Sequence, residues 1–262
     1  MHSPAERAAI AASNRRIQLA FSASFIFVAA LWWIHLIEWL GGWNWSRLGV
    51  EPHVLTGLIG ILVAPLLHVS WEHLIANTLP VLILGTALLY AYPRASRLVV
   101  PLIWLGSGIG VWFTGPAGYH LGASGLIMGF IVFLIVAGAL RRDRTSAAIT
   151  CAVAFLYGTA LVAIVPGTAG AHISYITHAW GAGIGLVCAL AFFRLDPLPP
   201  RKRKPLENEP EDYEDPVIGD LWREAPPEPQ QPSPPTYRPI RPPPTTVYPP
   251  RPRDEDKRPR LH

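Results

Sequence analysis

Residues 124–140 read SGLIMGFIVFLIVAGAL and contain no charged side chain. A helix needs roughly 20 predominantly apolar residues, and at least about 17, to cross the hydrocarbon core of a bilayer. Apart from the serine at its start, this stretch consists of apolar and small residues over the required length. It therefore predicts a transmembrane helix.

Five further stretches of similar composition flank this helix, at residues 17–40, 74–92, 97–114, 147–166 and 173–194. A seventh apolar stretch, from Val54 to Leu67, has only fourteen residues and is too short to cross a bilayer comfortably. It predicts a re-entrant or interface-lying segment. The predicted fold is an all-α membrane protein, a bundle of six transmembrane helices.

The composition agrees with this fold class. Only 15% of the 262 residues are charged, whereas soluble domains have roughly 25%. The last 67 residues hold 25 of the 40 charged residues and 20 of the 28 prolines, so the basic excess lies in the apolar part. This distribution excludes an ordinary soluble domain and gives no indication of nucleic-acid binding. The two cysteines, Cys151 and Cys188, lie in apolar runs and exclude a disulfide scaffold.

The arginines predict the topology. With six spans, nearly all arginines of the apolar region fall on one side of the bilayer and only Arg47 falls on the other. The positive-inside bias then makes both termini cytoplasmic. The first span is expected to be retained, because it exceeds the length of a signal peptide and ends in several tryptophans. We expect a bacterial plasma membrane, since no organelle-targeting segment is evident.

Three regions are predicted. Residues 1–16 form a short cytoplasmic segment, residues 17–194 form the membrane domain, and residues 195–262 form a disordered cytoplasmic tail rich in proline. Within the tail, Pro234-Pro235-Thr236-Tyr237 resembles a ligand for a WW-type module, and a chance match in a proline-rich tail is the alternative.

Most polar residues of the membrane region fall in outer loops or in the outer halves of spans two, four and six: His68, His73, Asn77, His120, Ser124, His172 and His178. Ionisable groups within spans are costly and usually functional. Their grouping in one leaflet predicts a functional site.

Two short motifs within this group predict a catalytic pair. Gly122-Ala123-Ser124-Gly125 starts span four, and His178-Ala179-Trp180-Gly181 lies near the outer end of span six. Two small-residue pairs would let these helices approach closely: Gly125 with Gly129 and Gly181 with Gly185. His178 could then act as the general base for the Ser124 hydroxyl. Helix packing alone is the alternative interpretation of the serine motif.

An acidic third member is missing from this arrangement, because no Asp or Glu lies on a span that could support His178 from below. The sequence therefore predicts a Ser–His dyad. His73 and Asn77 are spaced i,i+4 and share one helix face, so their side chains and the Ser124 backbone N–H could form an oxyanion hole. His68 lies outside that face and is expected to support the loop.

Together these motifs resemble the rhomboid family of intramembrane serine proteases over residues 17–194. The resemblance implies a six-helix core, Ser124 as nucleophile, His178 as base, and His73 with Asn77 in the oxyanion hole. It also implies that no metal or organic cofactor is used, and that the substrates are single-span membrane proteins cleaved after a small residue within the bilayer.

Two positions depart from the family pattern. Members often carry Trp-Arg where this chain has Ile59-Gly60, which concerns the anchoring of the first outer loop. Members usually carry Tyr or Phe, stacking on the histidine, where this chain has Met128. A thioether can pack an imidazole but holds it less firmly.

Three functions are therefore weighed. The first is an intramembrane serine endopeptidase, and the second is an inactive rhomboid-like binder or chaperone of membrane helices. The third is a metal-ion transporter that uses the outer histidines. The third is disfavoured because His68 and His73 are five residues apart, which places them on different helix faces.

Overall fold

The computed structural model describes residues 4–166 and 174–196. These residues form six long helices: α1 Pro4–Leu40, α2 Trp71–Ala91, α3 Ser96–Thr114, α4 Ser124–Arg141, α5 Arg144–Tyr157 and α6 Tyr175–Phe192. Within the described ranges there is no β-strand, and the extended pairing is confined to one antiparallel bridge between Val50 and His120. The all-α prediction is confirmed.

Six segments of the described chain are long and apolar enough to cross a membrane. The fifth of them, Arg144–Ile164, combines α5 with the 3-10 helix Gly158–Ile164. Large apolar side chains cover the outer surface, and Phe155 of α5 is 88% exposed. The protein is therefore a multi-pass membrane protein. His172 and most of the predicted disordered tail, residues 197–262, lie outside the described residues.

Several helix boundaries differ from the prediction. α1 begins at Pro4 instead of residue 17, because the alanine-rich stretch before the first span is also helical. The fifth span was predicted to be helical over 147–166, but its α-helix ends at Tyr157 and continues as a 3-10 helix. The short segment Val54 to Leu67 consists of 3-10 and α turns over Leu55–Leu66 and is no full span, as predicted.

Helix α4 lies at the centre of the bundle. Of its spanning residues 61% are buried, compared with 28% for each of α1, α2 and α3 and 33% for α6. A helix that is apolar on all sides can lie either in a protein core or in lipid, and its burial places α4 in the core. The sequence of residues 124–140 thus corresponds to the central helix of the fold.

The contact between α4 and α6 depends on glycine. A Cβ atom added at Gly181 would collide with the carbonyl oxygen of Gly125, and one added at Gly185 would collide with that of Gly129. Close backbone approach at small residues is a common way of packing membrane helices, since lipid gives no hydrophobic drive for their association. These four glycines set the depth at which α4 and α6 face each other.

The loop between α1 and α2 is held mainly by backbone contacts. A Cβ atom added at Gly60 would overlap the backbone of Gly49 and Val50. The indole N–H of Trp104 donates to the carbonyl of Leu62 at 3.1 Å, and that of Trp112 donates to the carbonyl of Val54 at 2.9 Å. The loop is therefore anchored without the Trp-Arg pair that Ile59-Gly60 replaces.

Replacing Gly181 with alanine tests the α4–α6 contact. We expect Gly181→Ala to destabilise the protein by about 1–3 kcal/mol, the usual cost of overpacking a tight contact. Gly183→Ala is the matched control, because nothing lies within 4 Å of a Cβ added at Gly183 on the same helix. Thermal unfolding of the detergent-solubilised protein measures both, and equal melting temperatures for the two variants would contradict the prediction.

Candidate functional site

Ser124 is the first residue of α4, and the loop before it is fixed by backbone hydrogen bonds. Val50 and His120 exchange two N–H···O bonds of 2.9 Å each, and the N–H of Gly122 donates to the carbonyl of Ala64 at 2.9 Å. Gly122 has φ +115°, a conformation that other residues rarely adopt. The loop between α1 and α2 therefore fixes the position of the segment that precedes Ser124.

His178 lies in the first turn of α6 and is 4% exposed. Its Nδ1–H donates to the carbonyl of Ala163 at 3.3 Å, which leaves Nε2 as the unprotonated nitrogen. Nε2 is buried and has no hydrogen-bond partner among the described residues. The imidazole is thus oriented by a backbone carbonyl and has a free acceptor nitrogen.

Ser124 and His178 lie on the two helices that meet in the α4–α6 contact. Gly125 follows Ser124 directly, and a Cβ added there would lie 2.9 Å from the Cγ2 atom of Thr177, the neighbour of His178. Ser124 is half-buried. Within the described chain, its hydroxyl and the His178 ring share no hydrogen bond. Such bonds are often long in unliganded sites and tighten when substrate binds.

His73 and Asn77 lie in the first two turns of α2, as their i,i+4 spacing predicts. A Cβ added at Gly122 would lie 2.9 Å from Nε2 of His73, so this edge of the ring faces the loop before Ser124. Asn77 is 4% exposed. In the described structure, neither Nδ2 of Asn77 nor Nδ1 of His73 has a hydrogen-bond partner.

His68, which is predicted to support its loop, packs against the ring of His73. The two ring centroids are 5.1 Å apart and the planes meet at 68°. His68 is 2% exposed, and its ring nitrogens are unpartnered among the residues described. Burial, together with the nearby imidazoles of His73 and His35, lowers the pKa of His68 to about 3. His68 is therefore neutral at physiological pH.

Five of the buried polar atoms without partners in the described residues belong to His68, His73, Asn77 and His178, and the others include Oγ of Ser24 and Nδ1 of His35. Natural proteins contain few such atoms, because each costs the free energy of desolvation. Nowhere in residues 4–166 and 174–196 do three or more His, Cys, Asp or Glu side chains form a group that could hold a metal ion. The arrangement offers hydrogen-bond donors and acceptors around one serine.

The family model for the rhomboid domain matches residues 55–195. The chain belongs to the rhomboid family. An uncharacterized protein of Mycobacterium bovis is 38% identical over 171 residues, covering 62% of this chain and 71% of that protein. An uncharacterized protein of Mycobacterium leprae is 35% identical over 187 residues, covering 68% of this chain and 74% of that protein.

This rhomboid-family site brings together the polar residues that the sequence singled out: Ser124, His178, His73, Asn77 and His68. Met128 is buried in the apolar core one turn after Ser124. The ring of His120, by contrast, forms two hydrogen bonds. Its Nδ1 bonds the Ser174 hydroxyl at 2.7 Å, and its Nε2–H donates to the Pro116 carbonyl at 3.0 Å. His120 therefore ties the loop before Ser124 to the start of α6.

Sequence reasoning missed one contact of this rhomboid site and gave no role to two buried polar residues of α1. The carbonyl of Ala163 orients His178, and a backbone group leaves no signal in the sequence. His35 and Glu38, on α1, are 7% and 8% exposed. The i,i+3 spacing of a histidine and a glutamate near the end of an apolar span could have identified this pair.

Replacing Gly122 tests the packing of His73 on the serine loop of this rhomboid. Gly122→Ala combines an unfavourable positive φ with a collision against the His73 ring. Gly118→Ala is the matched control, because Gly118 has φ +124° and nothing lies within 4 Å of an added Cβ. We expect the positive φ at the substituted residue to destabilise both variants by about 1–3 kcal/mol. Only Gly122→Ala should also shift the imidazole NMR signals of His73; equal shifts in both would contradict this packing.

The lowered pKa of His68 predicts a pH dependence of stability. Between pH 6.5 and about 3, the unfolded chain binds a proton at His68 that the folded chain does not. This contribution to stability therefore falls as the pH falls, by about 1.4 kcal/mol per pH unit. Thermal unfolding between pH 7 and pH 5 should show a smaller loss of stability for His68→Gln than for the wild type. Parallel curves would disprove a neutral, buried His68.

Proposed function

We propose that this rhomboid-family protein is an intramembrane serine endopeptidase with Ser124 as nucleophile and His178 as general base. One observation carries the proposal. The Nδ1–H of His178 is held by the Ala163 carbonyl at 3.3 Å, so that a buried Nε2 without a partner in the described chain is available as a base. A serine is a poor nucleophile unless such a base accepts its proton.

The proposed reaction has two stages. The Ser124 Oγ attacks the scissile carbonyl while its proton passes to Nε2 of His178; the C–N bond then breaks and His178 returns the proton to the leaving amine. Water hydrolyses the acyl-enzyme, again with His178 as base, and Ser124 is regenerated. The Ala163 carbonyl keeps the imidazole in the required tautomer throughout, which is the orienting role that a carboxylate has in a triad.

The negative charge on the substrate oxygen would be stabilised by three donors. They are Nε2–H of His73, Nδ2–H of Asn77 and the backbone N–H of Ser124, which has no intrahelical acceptor at the start of α4. The unpartnered Nδ2 of Asn77 supports this assignment, because a buried donor needs an acceptor.

The proposed substrates are single-span membrane proteins in the lipid bilayer, cut at the end of the bundle that carries Ser124. The arginines lie at the opposite end, at positions that include Arg94, Arg97, Arg141 and Arg194. Under the positive-inside rule the arginine end faces the cytoplasm and the Ser124 end faces outward. The proposed location is a bacterial plasma membrane, with both termini cytoplasmic. The proline-rich tail remains a proposed binding site for a further partner, and no nucleic-acid partner is proposed.

A second candidate is a rhomboid-like binder or chaperone of membrane helices. The observation in its favour is that Ser124 and His178, both described, share no hydrogen bond. In addition, Met128 replaces the aromatic residue that usually stacks on the histidine.

An activity assay separates the two candidates. Purified protein in detergent or liposomes is incubated with a panel of transmembrane substrates and, separately, with a serine-directed fluorophosphonate. We expect cleavage and labelling by the wild type, and loss of both by at least about 10³-fold in Ser124→Ala and His178→Ala, because the dyad acts as a unit.

Ser107→Ala is the control, since Ser107 is a buried serine close to Gly125 whose hydroxyl donates to the Trp104 carbonyl. It should retain labelling and cleavage. A wild type that neither cleaves any panel substrate nor reacts with the fluorophosphonate, yet binds membrane helices, would establish the binder instead.

A further inference from the structure

The first turn of α6 carries His178 beyond the region where glycines hold this helix against α4. Gly181, the first of the two contact glycines on α6, lies three positions after His178. In the described structure, Ser124 and His178 share no hydrogen bond that could fix one relative to the other. The hydrogen bonds around Ser174, at the start of α6, supply such a connection through other residues.

Ser174 is the N-cap of α6 and holds its first turn with both side chain and backbone. Its Oγ accepts the backbone N–H of Thr177 at 3.3 Å and the Thr177 hydroxyl at 2.8 Å. Its carbonyl accepts the backbone N–H of His178 at 3.3 Å. An N-cap satisfies N–H groups that have no acceptor within the helix. Ser174 therefore determines where α6 begins and how its first turn is oriented.

The ring of His120 fixes the Ser174 hydroxyl. Nδ1 of His120 lies 2.7 Å from Oγ of Ser174, and the Nε2–H on the other side of the ring donates to the Pro116 carbonyl at 3.0 Å. Oγ of Ser174 already accepts two hydrogen bonds, so its own proton can point to Nδ1. The connection does not depend on which partner donates, because a hydroxyl and an imidazole nitrogen can each do either.

His120 itself belongs to the segment that leads into the serine. Its backbone exchanges two hydrogen bonds of 2.9 Å with Val50, and it lies four positions before Ser124. The ring therefore projects from a backbone that the loop between α1 and α2 holds in place. The bond from His120 to Ser174 joins the segment before Ser124 to the cap of α6.

Thr177 makes a second contact between the same two segments. Its hydroxyl is bonded to Ser174, and its Cγ2 atom lies 2.9 Å from where a Cβ atom of Gly125 would be. Gly125 directly follows Ser124. The first turn of α6 thus meets the residues around Ser124 at a polar contact and at an apolar one. A rotation of this turn that displaced His178 would break both contacts.

We propose that His120 is a positioning residue that fixes the first turn of α6, and with it the imidazole of His178, relative to Ser124. It acts through the hydrogen bond between its Nδ1 and the Ser174 hydroxyl, and the bond to Pro116 serves only to orient the ring. This proposal rests on the proposed protease function, because the relative position of Ser124 and His178 has its catalytic meaning there.

Two amide variants separate the two hydrogen bonds of His120. Both polar atoms of an asparagine are attached to Cγ, as Nδ1 of histidine is, so His120→Asn can still bond Ser174 but falls short of Pro116. The polar atoms of a glutamine lie one bond further out, so His120→Gln can donate to Pro116 but gives up the bond at the Nδ1 position. If His120 positions α6, Asn replaces it and Gln does not. If it only stabilises its own loop, the reverse holds.

The kinetic readout is kcat and KM with a transmembrane substrate. We expect kcat to fall roughly 10- to 100-fold in His120→Gln at little-changed KM, because a misplacement of about 1 Å can cost about 10²-fold in rate. His120→Asn should keep most of the wild-type kcat. Ser174→Ala should lower kcat as His120→Gln does, and the double variant should lose no more than Ser174→Ala alone, because the two residues act through one bond.

Thr114→Val is the matched control. The Thr114 hydroxyl accepts the indole N–H of Trp180 on α6 at 2.7 Å, the same length as the bond under test. Without this hydroxyl the indole still packs against Gly110, where an added Cβ atom would collide with its ring. Thr114→Val should therefore retain the wild-type kcat. Melting temperatures in detergent show that each variant is folded.

The ¹⁵N NMR signals of the His178 ring give a second readout that needs no activity. We expect them to shift in His120→Gln and Ser174→Ala, and to keep their wild-type positions in His120→Asn and Thr114→Val. A wild type that cleaves nothing but shows this NMR pattern would refute the protease and leave the connection between His120 and His178 in place.

Four kinetic results would overturn the positioning role and leave the protease intact. They are equal kcat values for His120→Asn and His120→Gln, a loss confined to His120→Asn, additive losses in the double variant with Ser174→Ala, and a loss in Thr114→Val as large as that in His120→Gln. Unchanged His178 signals in His120→Gln would overturn it as well, whether or not the wild type is active.

Discussion

The close approach of α4 and α6 is the constraint on which the rest of this site depends. The two helices meet at Gly125 and Gly181 and again at Gly129 and Gly185, where no side chain fits between the backbones. Because each helix is rigid, these contacts fix the relative depth of residues one turn away. Ser124 directly precedes Gly125 and His178 lies three residues before Gly181, so glycine packing in the middle of the bundle fixes the positions of both.

The site is a polar group of side chains inside an otherwise apolar bundle. His68, Asn77 and His178 are each less than 5% exposed, and all of them carry nitrogens that find no partner in the described chain. This is unfavourable for folding, and lipid makes it more so, because no water can compensate from outside. Proteins retain such groups mainly where chemistry or binding uses them. Membership of the rhomboid family and the buried nitrogens without partners both indicate a functional site in this part of the bundle.

The two histidines that flank Ser124 are supported in different ways. His178 is oriented by the neutral carbonyl of Ala163, in the 3-10 helix that follows α5. His73 instead packs against the ring of His68, at a centroid distance of 5.1 Å. A neutral partner fixes a tautomer without adding charge next to the base.

Length and hydropathy in the sequence determined the six spans, because crossing a bilayer imposes a minimum apolar length that few other structures share. The sequence also predicted which residues share a helix face, because a helix places i and i+4 on one side; examples are His73 with Asn77 and the glycine pairs of α4 and α6. Helix ends were harder to predict: α1 starts at Pro4 because alanine-rich sequence continues a helix beyond the bilayer. Only the tertiary structure showed that the Ala163 carbonyl orients His178 and that the ring of His35 packs against Trp71. Every residue has a carbonyl, and the contact between α1 and the start of α2 joins residues more than thirty positions apart, so no local pattern encodes either.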